Sequence, residues 1–192
     1  MNDMSSIKIN SNSFAVNLYV NGLPVVLNQQ RLKQRLRDVR ITKRERLEVE
    51  VALASREGSD FLTLADHEDD KPLLFRLVPQ GDKYTIQTIL KGDYDEGYLA
   101  ISKSARHVFV GDVVQSRQFT LVKHDVENAR FSDLDKGPCY IALAVDGRDA
   151  IYLADENGKR YFKDVDPNMT KHDAFNNKPV TFVLKVIERP EG

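Results

Sequence analysis

Along most of the chain, apolar residues alternate with polar ones. "FAVNLYV", "LEVEVAL", "YTIQTI", "HVFVGD", "CYIALAV", "RYFKD" and "TFVLKVI" are short, rich in β-branched and aromatic residues, and set apart by Gly, Asn, Asp or Pro. A period of two places successive apolar side chains on one face of a strand, so the pattern predicts a mostly β protein. Asn21-Gly22, Asp146-Gly147 and Asn157-Gly158 sit between or directly after such runs. The two central residues of a type I′ turn need positive φ, which Asn, Asp and Gly tolerate best, so these pairs predict hairpins.

Only "NQQRLKQRLRDVRITKRER" leans towards a helix. Leu32, Leu36 and Val39 fall at i, i+4 and i+7 among long helix-forming side chains, which predicts two or three amphipathic turns. "VRIT" reads equally well as the opening of a strand.

The pair Phe-x-Leu occurs three times, as Phe75/Leu77, Phe119/Leu121 and Phe182/Leu184. Each is preceded by an aromatic-Leu pair (Phe61-Leu62, Tyr98-Leu99, Tyr152-Leu153), and each of those by an alternating strand. From first strand to aromatic-Leu the separations are 12, 14 and 12 residues (Val49 to Phe61, Tyr84 to Tyr98, Tyr140 to Tyr152). The following step to Phe-x-Leu grows from 14 to 21 to 30, as loops between fixed core strands allow. The repeated pairs are therefore expected in the core.

Three small units of this kind, over residues 46 to 188, resemble the β-trefoil. "GYLAISKSARHVFVGDVVQSRQFTLV" is similar to units of ricin-B-like and fascin-like members. The resemblance implies an all-β, trefoil-like closed barrel with a pseudo-threefold repeat, six strands forming the barrel and three hairpins capping one end. Residues 1-45 then form an N-terminal hairpin with a short basic helix or connector, and 46-192 the trefoil-like domain, together one globular unit. Residues 1-45 either precede the trefoil or belong to it, in which case the first unit starts elsewhere. "HEDDKPL" leaves little room for a cap hairpin in that unit. A generic sandwich or open barrel is the alternative.

Charge adds one local feature. The formal net charge is −1, but residues 31 to 46 carry eight basic against two acidic side chains, a local +6 that leaves −7 elsewhere. Arg31, Lys33, Arg35, Arg37 and Arg40 are candidate ligand-binding residues for an acidic partner or nucleic acid. No aromatic side chain lies between Arg31 and Arg46 to stack on a base, so an exposed connector, or a patch answering the protein's own acidic loops, is the competing reading.

The chemistry of catalysis finds no pattern here: there is no Gly-rich phosphate loop, His-Glu-x-x-His or Gly-x-Ser-x-Gly. "LADHEDDKP" gathers carboxylates that suit a hard cation, or a hydrolase built around them, and equally a solvated turn. No metal, cofactor or catalytic residue is assigned. Cys139 is the single cysteine, which excludes an intrachain disulfide and reads as a small core residue. The opening "MNDMSSIKINSNSF" has no apolar signal region, and no run approaches a membrane span, so a cytoplasmic location is expected, a mature secreted chain being the alternative.

The resemblance implies a non-enzymatic binding module, lectin-like or fascin-like, recognising a carbohydrate or protein surface through its loops. With no Trp, the Gln-x-Trp sugar signature of ricin-type trefoils has no counterpart; Tyr94 and Tyr161 are the candidate sugar-stacking rings, beside Tyr98 and Tyr152, whose aromatic-Leu positions make them core. A protease-inhibitor-type trefoil, presenting "DVDPNMTKHDAFNNKP" (164 to 179) to an enzyme's cleft, is a second possibility, and nucleic-acid or acidic-partner binding through residues 31-46 a third.

Overall fold

Asn21 (φ 51°) and Gly22 (φ 81°) turn β1 (Phe14–Val20) into β2 (Leu23–Leu27), with both central residues in the left-handed region that a type I′ turn requires. Asp146 (φ 53°) and Gly147 (φ 74°) do the same after β9 (Cys139–Val145), leading into the two-residue β10 (Asp149–Ala150). These turns belong to a computed structural model that describes residues 12–56, 58–89, 97–124, 126–134, 136–156, 158–166 and 178–191.

After β2 come helices α1 (Asn28–Leu36) and α2 (Lys43–Ser55), followed by β3 (Leu62–Leu64), β4 (Leu74–Gln80), β5 (Lys83–Ile89), β6 (Gly97–Ile101), β7 (Val108–Gly111) and β8 (Gln118–Val122). Beyond β9 and β10 lie β11 (Tyr152–Glu156), β12 (Lys159–Lys163) and β13 (Phe182–Glu188). Six of these strands close an antiparallel barrel: β1 pairs with β4, β4 with β5, β5 with β8, β8 with β9, β9 with β13, and β13 with β1. Closure leaves none of the six with a free edge. Between successive staves the chain makes the strand pairs β2–β3, β6–β7 and β11–β12.

Phe75, Phe119 and Phe182 stand on β4, β8 and β13 and are 0%, 1% and 3% exposed, with Leu77, Leu121 and Leu184 buried beside them. The repeated pair is core, as its spacing implies. Cys139 on β9 is buried and free. Side chains fill the barrel: the void among Leu18, Phe119, Leu143 and Phe182 is about 10 Å³, too small for a ligand. Gly97 lets β6 approach its neighbours, because a Cβ there would overlap Val110 Cγ1 and meet Thr88 Oγ1 at 2.8 Å.

Two expectations are corrected. "LEVEVALAS" is not a strand; it forms most of α2. Thr42 caps that helix, its hydroxyl accepting the Glu45 backbone N–H at 3.1 Å, and Leu47/Val51 and Val49/Leu53 are as much i, i+4 pairs as members of an alternating run. The short basic helix is present as α1, but it stops before Val39. At Asp38 the carboxylate accepts the Arg40 backbone N–H at 3.0 Å and fixes a turn, so Val39 lies outside α1 and is 95% exposed instead of extending the Leu32–Leu36 face. β1 is itself a barrel stave, which makes residues 14–20 part of the same sheet as β4 and β13.

Candidate recognition cleft

The two helices leave the barrel between β2 and β3 and fold back over the segment that follows β3. Leu32 anchors α1 at 6% exposed, and the Asn28 and Gln29 backbone N–H groups donate to the carbonyls of Phe61 and Ser59 at 2.9 and 3.0 Å. The acidic "DHEDD" loop then meets the basic segment directly. Arg31 Nη1 lies 3.3 Å from Asp66 Oδ1, and Arg35 Nη1 lies 3.6 Å from Asp66 Oδ2. Residues 31 and 35 sit one helical turn apart, so their guanidinium groups converge on a single carboxylate. Arg35 also pairs with Glu45 of α2 at 3.0 Å, and Gln30 and Gln34 both donate to the Lys71 carbonyl at 3.1 and 3.3 Å.

What this stitching leaves open is a cleft of about 350 Å³ between the α1–α2 turn and the 66–71 loop. Arg37, Arg40 and Lys71 face it together with Asp38, Asp69 and His67. An adjoining hollow of about 240 Å³ extends towards Ile41 and Glu45. The Arg40 backbone N–H, working against partial desolvation and helped by the Arg40 guanidinium and by His67, holds the Asp38 carboxyl below its ordinary value. Asp70 is used locally, accepting the His67 backbone N–H at 3.0 Å. Among the described residues Arg37 and Lys71 form no ion pair, which leaves their charges available to something outside the chain.

The candidate residues thus separate. Arg35, Arg37 and Arg40 line the cleft; Arg31 is committed to Asp66 and Asn28; Lys33 is exposed on α1 away from the cleft. Tyr161 offers no ring to a ligand: it is 7% exposed and packs edge-on against Phe61 and His107 at 5.3 and 5.4 Å. Tyr94 and residues 167–177 of the long loop lie outside the described residues.

Sequence reading missed the neighbourhood of Tyr161. His107 Nε2 bonds Glu156 Oε1 at 2.8 Å, Lys163 Nζ reaches the same oxygen at 2.9 Å, and Phe61 stacks on the imidazole at 4.6 Å. Burial pushes the Glu156 carboxyl up, but the hydrogen bonds and charges of Lys163 and His107 outweigh it and hold the group below its ordinary value. With His107 buried under the two rings, the arrangement ties the β7, β11 and β12 strands together and shuts the imidazole off from solvent. No sequence signal distinguishes it, since the five residues are spread from 61 to 163.

Among the described residues no group of three His, Cys, Asp or Glu side chains could hold a metal ion, and Arg pairing neutralises Asp66, the first carboxylate of the acidic loop. Nor is any described helix long and apolar enough to cross a membrane. Comparison of the chain with protein-family models, with curated proteins and with solved structures gave no match.

Proposed function

We propose that the protein is a non-enzymatic binding module on a β-trefoil-like scaffold, and that it recognises a mixed-charge protein surface at the cleft between the α1–α2 turn and residues 66–71. The cleft carries this reading: it is polar, open, built by the α1–α2 excursion from the barrel, and lined by Arg37 and Lys71, whose charged groups form no ion pair among the described residues. The trefoil assignment is supported by the order of the staves, β1/β4, β5/β8 and β9/β13, each couple enclosing one extra strand pair. On that reading the first unit starts at β1, and the helices are an insertion within its cap.

A rigid barrel with a filled interior leaves recognition to the segments outside it. The cleft alternates cations with carboxylates, which suits a partner bearing both signs better than a polyanion such as nucleic acid. It has no aromatic lining on which a sugar ring could stack. Carbohydrate recognition finds its support elsewhere, on the outer barrel wall. There Tyr140 is 68% exposed and pairs across strands with Val183, which pairs in turn with Tyr19, so the two tyrosines stand two strand spacings, about 10 Å, apart.

Displayed peptide libraries and a glycan array, each probed with the wild-type chain, with Arg37→Ala/Arg40→Ala/Lys71→Ala and with Tyr140→Ala, separate these readings. Peptide hits lost only in the triple variant support the cleft. Glycan hits lost only in Tyr140→Ala favour the wall, and saturable binding to neither library overturns the proposal.

A further inference from the structure

Helix α2 buries little of itself. Val49 faces inward at 5% exposed, while Leu47 and Val51 are each 63% exposed and Ala54 is exposed too. At 100° per residue, positions 47, 51 and 54 fall within about 60° of one another, a single apolar ridge running along the outer side of the helix. A ridge at i, i+4, i+7 is the pattern one helix offers to another, and nothing in the chain covers it among the described residues.

The flanks of the ridge indicate what does. On one side stand Arg46 and Glu50, both exposed and, among the described residues, in no ion pair within the chain. On the other, Arg44 and Glu48 already satisfy each other at 3.3 Å. When two identical helices pack antiparallel across a twofold axis, the same flank of each faces the other. With the axis level with residue 48, Arg46 of one copy meets Glu50 of its partner, and Glu50 meets Arg46, while the two Leu47 side chains touch beside the axis. The helix therefore carries its own complement: an apolar ridge and a flank that reads plus-minus in one direction and minus-plus in the other.

We propose that α2 is a homodimerisation helix, pairing two copies of the chain antiparallel through Leu47 and Val51 with reciprocal Arg46–Glu50 ion pairs. Thirteen residues span about 20 Å, so the contact falls among the small, weak interfaces. This proposal is independent of what the cleft binds.

Sedimentation velocity from about 1 to about 500 µM tests it, a range in which an interface of this size is populated. The wild type is expected to pass from monomer to dimer. Leu47→Glu, with Val51→Glu as a second probe at an equally exposed position, should raise the dissociation constant at least ~10-fold while far-UV circular dichroism stays unchanged. Arg46→Glu and Glu50→Arg should each weaken the dimer, by setting like charges against each other, and the double exchange should regain most of the loss. Monomer at every concentration, a dimer indifferent to both ridge variants, or a double exchange no tighter than the single ones would overturn the proposal.

Discussion

The Arg31 guanidinium donates to Asp66 Oδ1 at 3.3 Å while holding the side-chain oxygen of Asn28 through Nε and Nη2, so one arginine fastens the first turn of α1 to the loop beyond β3. Both members of the pair are about one-fifth exposed, and Arg35 joins the same carboxylate. Removing Asp66 leaves two part-buried guanidinium groups competing for fewer acceptors. Asp66→Ala is expected to cost about 1–2 kcal/mol in urea denaturation, with a smaller deficit at high salt where the pairs are screened. Equal stability of variant and wild type at low salt would show that the helices are held by other contacts.

Phe75, Phe119 and Phe182 occupy fully packed sites on three staves. Truncation of any one to Ala removes a large ring from a core with no space to collapse into, and should cost about 3–5 kcal/mol. If the trefoil assignment holds, the three losses are similar; one costing less than about 1 kcal/mol would mark that stave as peripheral.

Gly97 and Gly137 make opposite predictions. Gly97→Ala drives a methyl group into Val110 and Thr88 and should destabilise by about 1–3 kcal/mol. At Gly137 an added methyl meets nothing within 4 Å, so Gly137→Ala should be neutral or stabilising by up to about 1 kcal/mol. Thermal unfolding of the two variants side by side reads both.

Glu156 gives stability a dependence on pH. Its carboxyl titrates below the ordinary 4.5 when folded, so the folded state holds its charge more firmly than the unfolded chain does. The contribution is fully present above pH 4.5 and is lost as pH falls through the lower folded value. The stability gap between wild type and Glu156→Gln should be open above pH 4.5 and close under acid conditions, as followed by urea denaturation at several pH values. A gap that widens on acidification would contradict this sign.

The barrel was largely legible in the sequence, because Phe-x-Leu and the Asn21-Gly22 and Asp146-Gly147 turns depend on local period and backbone conformation. α2 was not. Leu47, Val49, Val51 and Leu53 satisfy both periods at once, and the deciding signal was the Thr42-x-x-Glu45 capping sequence just upstream. The basic segment stood out by charge, yet its partner Asp66 lies 35 residues from Arg31, a distance only tertiary structure closes. Tyr161 illustrates a further limit: on a short hairpin a tyrosine fits either face, and only its packing against Phe61 and His107 shows that it points inward.

The central claim, that the chain recognises partners at the cleft beside the α1–α2 turn, is tested most directly by backbone NMR. A peptide enriched from the displayed library is titrated into the labelled protein and the shifted amides are mapped. The account predicts saturable shifts concentrated at residues 34–41 and 66–71, abolished in the Arg37→Ala/Arg40→Ala/Lys71→Ala variant. Shifts centred on another surface, or unchanged in that variant, would contradict it.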